Sequence, residues 1–343
     1  VDGIAHACGH NAQCAAMLGL AGALKEQGVL DELCGSIRLI VVPAEEMIQT
    51  EYREKLCQEK ITSCYSGKPE YMKRGFLDGA DMAFMIHTAS DAAHMFSCNT
   101  GHNGFILKTA EYKGHTAHAG SSPDKGINAL YAANLGLSAI NALRETFRDE
   151  DCVRVHPIIT KGGNLVNVVP DEVVVETLVR AKTIEAFTDA AKKTDRSFHA
   201  GATAMGAKVE ITTLPGYLPT LAEEALPELK RAAELSAPET NVIEASGHTG
   251  GSTDVGDVQH LMPVYTFNTG GVKGGLHQVE FEVTDEEEAY IVTAKMFALG
   301  AYGLLKEKAA RSRELVKNYK PVFENSAKYA EFMDQFDSKE VLE

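Results

Sequence analysis

The sequence lacks tryptophan altogether, and that absence excludes no function. Other shortages exclude more. No apolar run approaches the roughly 20 residues a membrane span needs, and no signal peptide opens the chain. Basic residues are outnumbered, 33 against 48 acidic, for a net charge of -15. With no basic cluster to offset it, that balance argues against nucleic acid or an anionic membrane as partner and leaves a small molecule. Seven cysteines at irregular spacing form no disulfide framework and read as reduced thiols in a cytoplasmic protein. No repeat or low-complexity segment interrupts the 343 residues, a length that suggests two domains.

What is present is a set of strand-like apolar runs ending in potential metal ligands. Ser36–Pro43 runs into Glu45 and Glu46, Ala80–Ile86 into His87, and Met262–Phe267 into a glycine-rich stretch and His277. Parallel strands buried on both faces read as unbroken apolar runs, and open α/β sheets place their chemistry beyond the carboxyl ends of such strands. A metal site is therefore the first expectation. Cys8 and His10 precede a helical pattern from Ala12 to about Gln27, which Asn11 could cap. A thiolate at a helix start is a good ligand for zinc. An isolated C-x-H is more often a buried cysteine beside an exposed histidine, and a Glu-Glu pair more often a charged loop tip; it is the convergence of four clusters that favours a metal. In extended backbone Glu45 and Glu46 would point to opposite sides, so one could ligate while the other moves protons for a metal-activated water.

Near Asn103 the pattern changes. Strands over 104–114, 153–161, 171–182 and 208–214, with helices over 128–145 and 183–205, give a βαββαβ order, the plan of a ferredoxin-like sandwich. The expected fold class is thus α/β, a mainly parallel sheet flanked by helices, with an inserted α+β lid and dimerisation domain. Residues 1–102 and 216–343 would form the metal-binding domain, 103–215 the insert. A helix is expected over Leu221–Leu235, a long one over Thr284–Lys308, and peripheral helix after Ala309.

The stretches His6-Ala7-Cys8-Gly9-His10-Asn11, Pro43-Ala44-Glu45-Glu46, His87, Gly114-His115-Thr116-Ala117-His118-Ala119, Asn167-Val168-Val169-Pro170, Ser252-Thr253-Asp254-Val255-Gly256-Asp257 and Leu276-His277 follow one another along about Asp2 to Leu305. In that order they resemble the di-metal aminoacylase and carboxypeptidase superfamily, and within it the amidohydrolase branch of hippurate, indole-acetyl-amino-acid and p-aminobenzoyl-glutamate hydrolases, on its aminobenzoyl-glutamate and β-alanyl-lysine dipeptidase side. The resemblance implies a metal-dependent amidohydrolase or dipeptidase acting on an N-acyl amino acid, an aminobenzoyl-glutamate-like compound or a short dipeptide. It implies two divalent metals per protomer, zinc or manganese, on Cys8, His10, Glu46, His87 and His277, with Cys8 bridging. It implies Glu45 as general base and acid, His118 as a lid histidine acting on the partner's site in a homodimer, and Asn167 and Arg180 as holders of the substrate carboxylate. His115 matches no role, and Asp254 and Asp257 either orient a ligand or cap the next helix.

Three departures accompany the resemblance. Asn11 and Gln13 stand where hippurate-type relatives carry an acidic residue and a histidine. The segment Met47–Arg74 is longer than its counterpart, so it could narrow the pocket or form a contact between protomers. An N-terminal portion of about a hundred residues in relatives, with early sheet strands, is missing here. The alternative to a working enzyme is therefore an impaired binding or regulatory relative, or an inactive fragment.

Overall fold

The computed structural model describes residues 7–89, 100–221, 225–237 and 247–342. His6 of the opening motif and residues 222–224 of the helix expected over Leu221–Leu235 lie outside them; Leu221, Ala225 and Leu226 are not helical, and that helix begins only at Pro227.

Helix α1 (His10–Leu24) begins at His10, its N-cap being Gly9 in the left-handed region at φ 80°. Asn11 is therefore inside the helix and caps nothing. The glycine is dictated by packing as well as by φ, because a Cβ there would sit 1.9 Å from Thr88 Oγ1. Next comes the stretch expected as a buried strand. Ser36–Pro43 has no ladder partner among the described residues, and none of its side chains is buried. Its apolar run records β-propensity, but a strand also needs a neighbour to take its backbone hydrogen bonds. The long segment after it folds into α2 (Thr50–Gln58) and α3 (Gly67–Lys73) and leads to β1 (Ala83–Thr88), which carries His87.

After β2 (Thr100–His102) the insert begins with β3 (Gly104–Lys113), then α4 (Ala129–Leu143), β4 (Arg154–Val155), β5 (Ile158–Lys161), β6 (Glu172–Ala181), α5 (Ile184–Met205) and β7 (Lys208–Tyr217). The strand expected over 153–161 is split in two where Pro157, which has no N–H to donate, falls between β4 and β5. Both helices start where their caps stand: Asn128 accepts from Tyr131 N at 3.0 Å, and Thr183 accepts from Ala186 N at 3.1 Å. Strictly alternating burial along β6 puts Val173, Val175, Val179 and Ala181 into one core with Tyr112, Phe187 and Phe198. α4 and α5 cross in close contact at Gly136 and Gly201, where a Cβ on Gly201 would lie 2.3 Å from Ala132 O.

The chain returns through α6 (Pro227–Ser236), β8 (Gly247–Thr249), α7 (Val255–Gln259) and β9 (Val264–Thr269). A small antiparallel pair, β10 (Val272–Lys273) and β11 (Glu282–Val283), is followed by a π-helical stretch, Glu287–Val292, and by α8 (Thr293–Asn318), which breaks at Lys306–Ala309. The tail holds α9 (Ser326–Asp334) and a strand, β12 (Ser338–Leu342). β12 is a departure from a purely helical tail, for it adds to the insert's sheet, whose order is β12-β7-β3-β6-β4 with β5 also on β6. Outside that sheet β1 pairs β9 in parallel, and β2 pairs β8 in parallel.

Candidate metal centre

Six side chains converge where α1, the 44–46 turn, β1 and the loop after β10 meet. Cys8, His10 and His87 offer ligand atoms all within 4.8 Å of one another, as do Cys8, Glu46 and His277, and His10, Glu45 and Glu46. Cys8, His10 and Glu46 each belong to two of these groupings. Its Sγ lies 3.4 Å from His87 Nε2, His277 Nε2 lies 2.8 Å from Glu46 Oε1, and His10 Nε2 lies 3.9 Å from Glu45 Oε2. His118, Asn167 and Arg180 belong to none of the groupings.

Each ligand candidate is held by the fold. His87 Nδ1 lies 2.8 Å from the carbonyl of Thr88, an arrangement in which Nδ1–H donates and Nε2 keeps its lone pair. Burial lowers the His87 pKa, so the imidazole is neutral, as a ligand must be. His277 sits at φ 63°, unusual for a non-glycine residue, and its N–H donates to Ala7 O at 2.6 Å. Arg53, on α2, donates to the carbonyls of Glu46, Ile48 and Tyr65. The segment Met47–Arg74 therefore braces the Glu45–Glu46 turn, a role its sequence did not reveal.

The electrostatics call for a cation. Burial first, then Glu46 and Glu45, push the Cys8 thiol up to about 12. Burial first, then Asp254, push Glu45 up to about 7, while Lys68 pulls it down. A thiol and two carboxylates packed together are unfavourable as anions until a divalent ion supplies the missing charge, and such an ion deprotonates a thiol it binds. The thiolate, imidazole and carboxylate donor set fits zinc, and its carboxylates are tolerated by manganese.

Around the cluster stand three residues to which the sequence gives no role, Thr253, Tyr217 and Lys68, together with the remaining candidates. Thr253 Oγ1 donates to Glu45 Oε1 at 3.3 Å, and Tyr217 OH, from the end of β7, donates to the Glu45 carbonyl. Asp254 is fully buried and paired with Lys68, whose backbone N–H also donates to it at 3.1 Å. Asp257 accepts from Leu218 N at 3.2 Å and Tyr329 OH at 2.8 Å. Among the described residues, neither aspartate orients a histidine or caps α7 through its side chain. Arg180 Nη1 donates to Ser252 Oγ at 3.1 Å and its guanidinium lies 5.5 Å from the centroid of Phe105. His118 Nδ1 accepts from Gly120 N and Ser121 N, both at 3.1 Å, on an exposed loop after β3, which leaves its Nε2–H free to donate. The exposed Asn167 gives its carbonyl to Ala119 N at 3.0 Å. A cavity of about 1160 Å³, lined by His10, Glu45 and His87 at one end, extends between Ser36–Pro43 and β1.

Residues 100–205 match the peptidase dimerisation domain family. The chain is 27% identical over 333 residues to the mouse (Mus musculus) Xaa-Arg dipeptidase, covering 93% of this chain and 68% of that protein. It is 33% identical over 174 residues to a p-aminobenzoyl-glutamate hydrolase polypeptide of Escherichia coli, covering 49% of this chain and 34% of that one. Among solved structures, a Bacillus subtilis protein described as a dinuclear metal-binding peptidase of the M20 family superposes with a TM-score of 0.62 at 24% identity, over 89% of this chain and 74% of that one. It shares the α/β fold with the inserted domain. The inserted domain matches the peptidase dimerisation domain family, and with the ligand-bearing motifs, the fold and these relatives in agreement the chain is similar over most of its length to amide and peptide hydrolases.

Proposed function

We propose that the chain hydrolyses the amide bond of an N-acyl amino acid, an aminobenzoyl-glutamate-like compound or a short dipeptide. The observation that carries this reading is the convergence of Cys8, His10, Glu46, His87 and His277 beside Glu45, with Cys8, His10 and Glu46 each shared by two ligand groupings. These five side chains would hold two divalent metals, zinc or manganese, which when bound supply Lewis acidity toward the amide carbonyl and the attacking water. Glu45 is the proton carrier. With a pKa near 7 it can take a proton from water and hand it to the leaving nitrogen, and the Thr253 hydroxyl on Oε1 leaves Oε2 to face the centre. Arg180 and Asn167 hold the carboxylate of the substrate, Arg180 through the planar fork that suits carboxylates.

The assembly we propose is a homodimer through the insert. β12 covers one edge of the insert's sheet with its own charged residues, whereas β5 at the other edge exposes Ile158 and Ile159, near Leu165 and Val166 in the following loop. An apolar open edge suits self-complementary two-fold pairing. His118 would then serve the partner's site, donating from Nε2 to the oxyanion.

Metal analysis with turnover assays on p-aminobenzoyl-glutamate, hippurate and a β-alanyl dipeptide tests the reading. Glu46→Gln and Cys8→Ser should lose metal, whereas Glu45→Gln should keep it and lose turnover by about a hundredfold or more. A metal-loaded wild type inactive on all three substrates would favour the impaired relative. Mixing Glu45→Gln with His118→Ala under conditions that exchange protomers should recover at most about a quarter of wild-type turnover, since half the dimers carry one intact hybrid site. No recovery despite exchange would remove the role in trans.

A further inference from the structure

In a chain with 48 acidic residues, and apart from Arg53, whose guanidinium is taken up by backbone carbonyls, two arginines beside the proposed site have no carboxylate within ion-pair distance among the described residues. They are Arg154 and Arg180, and they lie directly opposite each other on the antiparallel strands β4 and β6. Directly opposed residues of an antiparallel pair project from the same face, and like charges so placed repel. Arg180 reaches Ser252 Oγ, and Arg154 Nη1 donates to the carbonyl of Val153 at 2.9 Å. Among the described residues no carboxylate forms an ion pair with either guanidinium, although the surface is rich in acids; Glu46 acts on Arg180 only from beyond ion-pair distance.

Both arginines border one loop, and that loop leads to the reacting end of the site. A Cβ on Gly250 would sit 3.6 Å from Arg154 Cγ and 3.8 Å from its Nε; Ser252 accepts from Arg180; the adjacent Thr253 donates to Glu45. Along four consecutive residues the loop thus passes from the proton carrier to one guanidinium and then to a second. Burial lowers the pKa of Arg180, and the Phe105 ring packs against its guanidinium, so this fork is partly desolvated and held in place. An acidic amino acid released from an amide carries two anionic groups beyond the nitrogen: the α-carboxylate on the adjacent carbon and, one or two methylenes farther out, the side-chain carboxylate.

We propose that Arg154 and Arg180 form a two-cation clamp for a substrate bearing two carboxylates, so that Arg154 selects an acidic residue, aspartate or glutamate, on the amine side of the scissile amide. The proposal rests on the amidohydrolase reading and narrows it. Arg180 takes the α-carboxylate and Arg154 the side-chain carboxylate. The bound dianion relieves the repulsion between the two guanidinium groups. A dipeptide ending in arginine would instead bring a third cation to the clamp, which sets this chain apart from the Xaa-Arg dipeptidases it is similar to.

The test compares N-benzoyl-glutamate with N-benzoyl-glutamine, equal in size and differing by one charge. Turnover is measured on the metal-loaded wild type, Arg154→Gln and Arg154→Lys, and affinity by calorimetry on the same proteins in the Glu45→Gln background. A charge-assisted contact predicts a wild-type preference for the glutamate compound of roughly tenfold to a hundredfold in kcat/KM and Kd. Arg154→Gln should bring the ratio within about threefold of unity, and Arg154→Lys should retain part of it. Circular dichroism and metal content identify any variant that has not folded, in which case Arg154→Lys decides. A wild-type ratio near one, or a ratio unchanged in Arg154→Gln, overturns the clamp while leaving the hydrolase reading intact. If neither compound is hydrolysed but calorimetry shows the preference and its loss in Arg154→Gln, the hydrolase reading falls and the clamp stands.

Discussion

The insert and the part that carries the candidate metal ligands solve the problem of strand pairing differently. In the insert, β3 is bonded along its length to β6 on one side and β7 on the other, and both faces of the alternation find a place, core or solvent. In the other part β1 has one neighbour among the described residues, β9, and Ser36–Pro43 lines a large cavity with no ladder at all among them. The first region is held by its own ladders and core. The second is held by helices, by the Arg53 and Lys68 braces, and by a ligand cluster whose charges ask for metal. Stability in this chain should therefore be unevenly distributed, with the functional part at the weaker end.

The largest effect that would sharpen this contrast is a cavity in the insert. Phe198→Ala should cost about 3–5 kcal/mol because the ring is fully buried between β3 and α4, whereas Leu39→Ala in the extended segment should cost less than about 1 kcal/mol. Denaturant unfolding of both variants measures this; equal losses would break the contrast. Next in size is the pH response of metal-free protein. Glu45 is held at about 7 against an ordinary 4.5, so its protonated form is favoured by folding. That contribution is complete below about pH 4.5 and is lost as pH rises through 7, up to about 3 kcal/mol. Glu45→Gln should therefore gain stability relative to wild type between about pH 5 and pH 8; a constant difference across that window would refute the buried, raised carboxyl. Metal should then act on one region only. At a hundred times Kd it should add about 2.7 kcal/mol, read by hydrogen exchange as protection of α1 and β1 with the insert's amides unchanged. The smallest effect is at the covered edge: Lys339→Ala removes an exposed pair with Glu210, 2.6 Å long, and should shift unfolding by less than about 0.5 kcal/mol.

Legibility followed the same divide. The insert's strands and helices were readable to within a few residues because Asn128 and Thr183 cap their helices and β6 alternates without a fault. Ser36–Pro43 misled because an apolar β-branched run specifies a willingness to pair, and pairing depends on a second segment. The tail strand β12 went unseen since Ser338–Leu342 has no alternation strong enough to compete with the amphipathic helix before it. Of the site, the ligand candidates were visible as motifs, whereas Thr253 at Glu45, Lys68 on Asp254 and Arg154 opposite Arg180 were not.

By itself the sequence determined the types of donor available, a thiol, three imidazoles and two adjacent carboxylates, and the local periodicities that make α4, α5 and β6, because both depend on side-chain chemistry and on neighbours a few residues away. Only the tertiary structure decided which of those donors share a site, which strands found partners, and which charges were left without one. Those outcomes depend on contacts between residues tens to hundreds of positions apart, such as Cys8 with His87 and Thr253 with Glu45, and no local pattern encodes a distance across the fold.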